Sequence, residues 1–183
     1  MGARAELKSR ARSRISRRGV SVVEGTIIFA IGGALLAITV PAFVREIHAS
    51  RFVEPVDGLQ KLSSAAVTYA HEKAVKDAFP PTTSLTPSEP PRGARAVDPA
   101  GAWDTPTWTA LGFRPVAEGV PHLFAFGFDA TLTPAKSSFV AHAHGDLDGD
   151  GVRSTFEVRG HVAEGDPAGA VIEPGMYVDA EVE

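Results

Sequence analysis

The feature that most constrains this chain is a long apolar run, residues 20–44 (VSVVEGTIIFAIGGALLAITVPAFV), in which Glu24 is the only ionisable side chain. As one helix, the run is long enough to cross the ~30 Å hydrocarbon core of a bilayer. An ionised carboxylate inside that core costs about 2.5–3.5 kcal/mol on insertion scales, so we expect Glu24 to have a partner. The sequence therefore predicts a membrane helix that carries one acid.

A strongly basic stretch, residues 1–19, precedes the apolar run. It holds seven Lys and Arg residues against one Glu, and it ends at Gly19. Positive charge beside a span keeps that end in the cytoplasm. If the peptide bond after Gly19 is cut, Val20 becomes a new N-terminus whose amine is largely protonated at neutral pH. A neighbouring copy, shifted along a shared axis, would offer this amine to Glu24, which would neutralise both charges and fix the stagger between copies.

Residues 17–43 resemble the N-terminal segment of type IV pilins and pseudopilins. That family has a short basic leader ending in glycine, a glutamate near the start of the processed chain, and a proline ending the first part of an apolar helix. The matching positions here are Gly19, Glu24, Ala30, Gly33, Leu35 and Pro41. The chain departs from the family at Val20 (usually Phe or Met), at Ser21-Val22-Val23 (commonly Thr-Leu-Ile) and at Gly25 (usually aliphatic).

The resemblance implies an α+β fold, with a long N-terminal transmembrane and assembly helix packed on a C-terminal antiparallel β-sheet. It implies a structural subunit of a type IV filament, cut after Gly19, methylated on Val20 and polymerised through its N-terminal helix. Glu24 would set the register between subunits, and Pro41 would lie in the assembly helix.

The resemblance also implies a location and a set of partners. The chain would be a single-pass protein of the inner membrane before assembly, and part of a periplasmic or extracellular filament afterwards. Its partners would be other copies of itself in a helical filament, a prepilin peptidase, an assembly ATPase with its platform protein, and an outer-membrane secretin.

Other functions stay open beside this one. The chain is alternatively a minor pilin or a pseudopilin of a type II secretion system, a monomeric membrane-anchored calcium-dependent binding module, or a plain single-span anchor. A secretory signal peptide fits less well, because its apolar core is usually about 7–15 residues long and a small-residue cleavage site follows that core. Glu24 separates the filament subunit from a monomeric anchor, which should tolerate its replacement.

Composition limits the remaining functions. The chain has 183 residues and a formal net charge of −4, which conceals an uneven distribution. Removing residues 1–19 takes away seven of the 18 basic residues and one of the 22 acidic ones, so the processed chain carries about −10. A broad nucleic-acid-binding surface is therefore not expected. The chain has no cysteine, so no disulfide holds its C-terminal region.

The sequence predicts five segments. They are a basic leader (1–19), a transmembrane and filament-core helix (20–54), an amphipathic helix continuing into the globular domain (55–78), a Pro-rich loop region (79–121), and an antiparallel sheet with an acidic loop (122–183).

Proline and glycine positions predict local departures from regular helix. Glu54-Pro55, with Gly58 soon after, predicts a kink or a short break, because proline lacks the N–H that an α-helix uses. In the resembled family, a region such as 32–41 loosens on assembly. Close helix packing through Gly32 and Gly33 is the alternative.

The last third of the chain alternates with a period of two, which predicts strands. Phe124, Phe126 and Phe128 share one face, and similar alternation recurs around residues 139–143, 156–158 and 176–182. Upstream of these strands, aromatic and aliphatic side chains are expected to lie in the core: Trp103, Trp108, Leu111 and Phe113.

One acidic motif points to a metal. Residues 146–157 satisfy the calcium-loop pattern D-x-[DN]-x-[DN]-G-x5-E. The predicted ligands are Asp146, Asp148, Asp150, the Val152 carbonyl and Glu157. The flanking segments look like strands and not like the helices of an EF-hand. Of the five predicted ligands, Glu157 is therefore the one that these flanking strands argue against most. An acidic hairpin turn without metal is the alternative. Some pseudopilins use calcium where pilins use a disulfide, which fits a chain without cysteine.

Other polar residues give weaker patterns. His142 and His144 share one strand face, which is more typical of an exposed polar face than of a transition-metal site, because no third ligand is identifiable. No nucleophile, base and orienting group can be assembled from the sequence, so an enzyme is not expected.

Overall fold

The computed structural model describes residues 19–71 and 73–180, with the side chains of residues 44–51 not described. The predicted leader, up to residue 18, lies outside the described residues. The chain divides into two compact units, Met1–Val44 and Arg45–Glu183. It combines an N-terminal apolar helix with a C-terminal antiparallel sheet, an α+β arrangement.

Helix α1, Val22–Ala70, begins with the apolar segment of the first unit. Val22–Phe43 is long and apolar enough to cross a membrane, and none of it is buried inside the chain. Large side chains such as Phe29 and Leu36 are mostly exposed. By its length, composition and position this segment could serve as a membrane anchor or as a signal sequence. An exposed apolar surface of this extent is typical of a site that contacts lipid or another apolar partner.

Helix α1 does not break at Pro55, so the predicted short break is wrong, whereas the alternative, a kink, stays a prediction. Its helical residues run without interruption through Pro55 and Gly58. Tertiary packing explains the difference. Pro55 is fully buried, and because Gly58 has no Cβ, the ring of Phe126 lies directly against the helix backbone. Contacts on this scale outweigh the local cost of one missing hydrogen bond.

The amphipathic part of α1 was predicted correctly in character and wrongly in extent. Leu59, Leu62 and Ala66 are fully buried, with Ala70 close behind. The helix ends at Ala70, however, and a short 3-10 helix, Val75–Asp77, follows it instead of a continuation to residue 78.

Within the described residues, six antiparallel strands form one sheet. They are β1 (Thr83–Thr86), β2 (Phe124–Thr131), β3 (Lys136–Gly145), β4 (Ser154–Ala163), β5 (Val171–Ile172) and β6 (Tyr177–Asp179). The order is β1-β2-β3-β4-β5, and β6 also pairs with β4. The four strands expected from alternation are therefore present. The Pro-rich region 79–121 is not all loop, because it supplies β1 and a short helix, α2 (Pro106–Leu111).

The core lies between one face of the sheet and the second-unit part of α1. The rings of Phe124, Phe126 and Phe128 are fully buried on that face, as the period-two pattern predicts. Each such side chain contributes about 1.5–3 kcal/mol by leaving water. The predicted aromatic cluster is also buried, and Trp103 and Trp108 lie 5.4 Å apart between ring centroids.

Candidate functional site

The predicted cleavage site lies just before helix α1. Gly19 and Val20 are exposed and have no regular secondary structure, and the helix begins two residues later at Val22. A peptide bond in this setting is open to a protease, because it is neither buried nor held in a hydrogen-bonded ladder.

Glu24 and Ser21 form a reciprocal cap at the start of α1. The Ser21 backbone N–H donates to Glu24 Oε2 at 2.8 Å, and the Glu24 backbone N–H donates to Ser21 Oγ at 3.2 Å. This is a capping box, and its Ser-x-x-Glu signature was readable in the sequence but missed above. A serine cap contributes about 0.5–2 kcal/mol to a helix.

The cap leaves part of the Glu24 carboxylate available. Only Oε2 accepts the Ser21 N–H, and none of the described residues donates to Oε1. A carboxylate oxygen can accept more than one hydrogen bond, so Glu24 can serve as a helix cap and still bind a further donor. The two roles are compatible.

The predicted helix positions downstream of Glu24 show no local departure from helix. Residues 32–41, with Gly32, Gly33 and Pro41, all lie within α1, and Pro41 is exposed. A methyl group added at Gly32 or Gly33 would meet nothing within 4 Å in the chain. Loosening on assembly and close packing against another helix both remain predictions for this stretch.

Three of the predicted metal ligands come together in the loop between β3 and β4. One carboxylate oxygen from each of Asp146, Asp148 and Asp150 lies within 4.8 Å of the others. Asp146 is buried, with 2% of its surface exposed, whereas the other two are exposed. The loop therefore converges three oxygen ligands of the hard type that Ca²⁺ binds.

Backbone amides orient these carboxylates. Asp146 accepts from the N–H groups of Gly149 (2.8 Å) and Gly151 (3.2 Å), one on each oxygen. Asp150 accepts from the N–H of Val152 at 2.7 Å. These bonds hold the loop in shape and partly offset the mutual repulsion of the carboxylates.

Glu157 does not join this group, so that part of the predicted ligand set is wrong. Its Oε2 lies 3.0 Å from Arg159 Nη2, and its backbone pairs with His142 on β3 and Tyr177 on β6. The reason is that the acidic loop joins two strands. An EF-hand returns its twelfth residue on a helix, but here the chain runs straight into the β4 ladder.

The acidic loop also contacts a segment far away in sequence. The Gly93 N–H donates to the Asp146 carbonyl at 2.8 Å, and Arg92 pairs with Asp146 in an isolated parallel bridge. Gly93 adopts φ +64° and packs against the Asp148 carbonyl, a position where a side chain would be strained. A cation here would brace β3, β4 and the Pro-rich region together.

His142 and His144 lie side by side on β3, with their ring centroids 5.3 Å apart. The ring of His142 lies directly over Gly127, where an added methyl group would collide with its Nε2. His144 Nδ1 lies 2.9 Å from Thr155 Oγ1. Burial lowers the pKa of both histidines, and for His142 the charges of Asp129 and Glu157 oppose that effect. The small residue beneath the His142 ring gives that side chain a packing role.

No family model, no curated protein and no solved structure matches the chain.

Proposed function

We propose that this chain is a structural subunit of a type IV filament, processed after Gly19 and polymerised through its N-terminal helix. The observation that carries the proposal is Glu24, the only ionisable side chain of residues 20–44, placed at the start of an exposed apolar helix with one carboxylate oxygen uncommitted. An acid in that position needs a cation, and cleavage would create one nearby.

The apolar segment supports both states of such a subunit. No part of Val22–Phe43 is buried against the rest of its own chain. Before assembly the inner membrane would surround this segment, and after assembly the same segment of other copies would replace the lipid. The filament would then continue into the periplasm or beyond the cell.

The pairing of Glu24 with a neighbour sets the stagger. Within one copy, the Val20 amine and the Glu24 carboxylate lie on the same segment, and Oε2 already accepts the Ser21 N–H. The amine of an adjacent copy would bind Oε1. Two charges that neutralise each other in lipid avoid the roughly 2.5–3.5 kcal/mol cost of an isolated one, which makes a single register favourable.

The processing and assembly partners follow from this proposal. A prepilin peptidase would cut after Gly19 and methylate Val20, and an assembly ATPase with a platform protein would lift subunits from the membrane. A secretin would pass the filament through an outer membrane. A minor pilin or a type II secretion pseudopilin would use the same machinery and the same Glu24 contact.

The experiment is replacement of Glu24 in cells that assemble the filament. E24A should reduce the sheared filament fraction at least about tenfold while leaving the membrane-bound amount unchanged. T39A is the matched control, because the Thr39 hydroxyl only donates to the Leu35 carbonyl of its own helix at 2.8 Å. Normal filaments from E24A would contradict the role proposed for Glu24. Absence of both the unaltered protein and E24A from the sheared filament fraction would contradict the filament proposal and favour a monomeric anchored module.

We infer secondly that the acidic loop binds calcium. The three aspartate oxygens within 4.8 Å of one another support this, because carboxylates this close repel one another without a cation. The ion would hold the β3–β4 hairpin, which has no disulfide to fix it.

A calcium titration of the full-length protein in detergent tests this second role. Calcium should raise the melting temperature by several degrees, and D148N with D150N should abolish the rise. D166N is the matched control, because Asp166 also accepts a nearby N–H, from Ala168 at 2.9 Å, but lies outside the cluster. A melting temperature that calcium does not change would show that the loop is only an acidic turn.

A further inference from the structure

Glu54 joins helix α1 to the beginning of strand β2. Its Oε1 accepts the backbone N–H groups of Leu123 (2.7 Å) and Phe124 (2.9 Å), and its Oε2 lies 3.2 Å from Arg95 Nη1. Only 12% of the Glu54 side chain is exposed. These bonds join α1 to residues that lie 41 to 70 positions further along the chain.

His122, next to this contact, is buried with an oxygen acceptor at each ring nitrogen. Its Nδ1 lies 2.8 Å from the Phe124 carbonyl, and its Nε2 lies 2.7 Å from Asp98 Oδ2. A carbonyl oxygen can only accept, so Nδ1 carries a proton. A neutral imidazole has a single N–H, which would leave the lone pairs of Nε2 and Oδ2 facing each other. A second proton between Nε2 and Oδ2 would remove this conflict.

The surroundings of Asp98 also favour a shared proton. Asp98 Oδ2 also accepts the indole N–H of Trp103 at 2.6 Å, and the Asp98 side chain is 13% exposed. With the shared proton counted, His122 and Arg95 balance the charges of Glu54 and Asp98. Without it, the two largely buried carboxylates of Glu54 and Asp98 would have one cation in this group, the half-exposed Arg95.

The backbone joins the same two segments. Ala96 and His122 exchange both backbone hydrogen bonds, each 3.0 Å long. The segment holding Arg95 and Asp98 is thus fixed beside His122, and Glu54 contacts the residues that follow His122. The contacts span three regions far apart in sequence: α1, the Pro-rich region and the start of β2.

We propose that five side chains form a proton-sharing cluster: Glu54, Arg95, Asp98, Trp103 and His122. One proton shared by His122 and Asp98 keeps the start of β2 attached to helix α1. This proton-sharing cluster is independent of filament assembly and of calcium binding. Its parts lie in the second unit, and each of its side-chain contacts is a hydrogen bond or an ion pair. Loss of the proton or of Glu54 would free the start of β2 while the rest of the sheet stays paired.

The proton is tested by nitrogen NMR of the His122 ring in full-length protein in detergent micelles at pH 7. Both ring nitrogens should give protonated signals whose hydrogens exchange slowly with water. D98N should convert the ring to a neutral form, because an uncharged amide does not stabilise a second proton on the imidazole as a carboxylate does. A neutral ring in the unaltered protein, or an unchanged doubly protonated ring in D98N, would overturn the proposal.

The link to α1 is tested by amide hydrogen exchange. E54A should speed exchange of the Leu123 and Phe124 amides at least about tenfold relative to amides in the middle of β3, since bonds to a charged acceptor are lost. D57A is the matched control, because Asp57 is an exposed acid on the same helix. Equal exchange rates in E54A and D57A would contradict the role of Glu54 in the proton-sharing cluster. If E54A does not fold, E54Q keeps an acceptor oxygen and should give a smaller increase. Exchange as slow as in D57A would then overturn the role of the charge.

Discussion

Replacing Gly58 with alanine tests how α1 packs on the sheet. Gly58 faces the ring of Phe126, which is fully buried, and an added methyl group would collide with that ring at its Cε1 and Cζ atoms. The ring sits among other core aromatics, including Phe113 at 5.6 Å between centroids and Trp103 at 6.4 Å, so it has little room to move.

The expected effect is a balance of three contributions. Alanine favours a helix over glycine by about 1 kcal/mol, and burying one methyl group is worth about 0.8 kcal/mol. Forcing an extra methyl group into a well-packed core costs about 1–3 kcal/mol, and here the obstacle is a buried ring with no alternative position, so the upper end applies and the methyl group gains little burial. We therefore expect G58A to lower the free energy of unfolding by about 1–2 kcal/mol.

Denaturant unfolding of the full-length protein in detergent, followed by tryptophan fluorescence, measures this change, because Trp103 and Trp108 are both buried. S64A is the control: Ser64 is exposed on the same helix, so alanine there should be neutral or slightly stabilising. G58A combined with F126L should cost less than the sum of the two single changes, since the smaller side chain makes room for the added methyl group. A G58A protein as stable as the original would refute the packing described for α1.

Three further predictions follow from other contacts. S21A removes the reciprocal cap, so it should cost about 0.5–2 kcal/mol at the start of α1 and speed amide exchange in its first turn. Burial lowers the folded-state pKa of His142 and His144. Their contribution to stability should therefore be complete above about pH 6.5 and fall as the pH drops below it, and H142Q with H144Q should flatten that dependence in calcium-free denaturation curves. T86V leaves the buried indole N–H of Trp108 without its 2.9 Å acceptor and should cost about 1–3 kcal/mol in unfolding experiments, but much less in a W108F background.

Patterns that repeat along the chain gave reliable predictions. The alternation of Phe124, Phe126 and Phe128 predicted both a strand and its buried face, because side chains in a strand alternate between faces regardless of what surrounds them. The apolar face of α1 followed in the same way from residues such as Leu59 and Leu62.

Features that depend on distant contacts were not predictable in this way. Pro55 signals a helix break locally, but burial against the sheet keeps the helix continuous. Glu157 completes the calcium-loop motif in the sequence, yet it lies within strand β4, where its carboxylate contacts Arg159 and not the aspartates. Strand β1 lies in a Pro-rich region without alternation, and only its pairing with β2 defines it. The contacts of Glu54 bridge residues 69 and 70 positions apart, a distance no local pattern reports.

The most direct test of the filament proposal is whether the Val20 amine of one copy contacts the Glu24 carboxylate of another. Filaments assembled from a mixture of light and nitrogen-15-labelled subunits can be treated with a zero-length reagent that couples amines to carboxylates, and the cross-linked peptides analysed by mass spectrometry. We expect a peptide that joins Val20 of one isotope to Glu24 of the other, with residues 1–19 absent. Filaments that retain residues 1–19, or that yield no mixed-isotope link at Glu24, would contradict the proposed pairing.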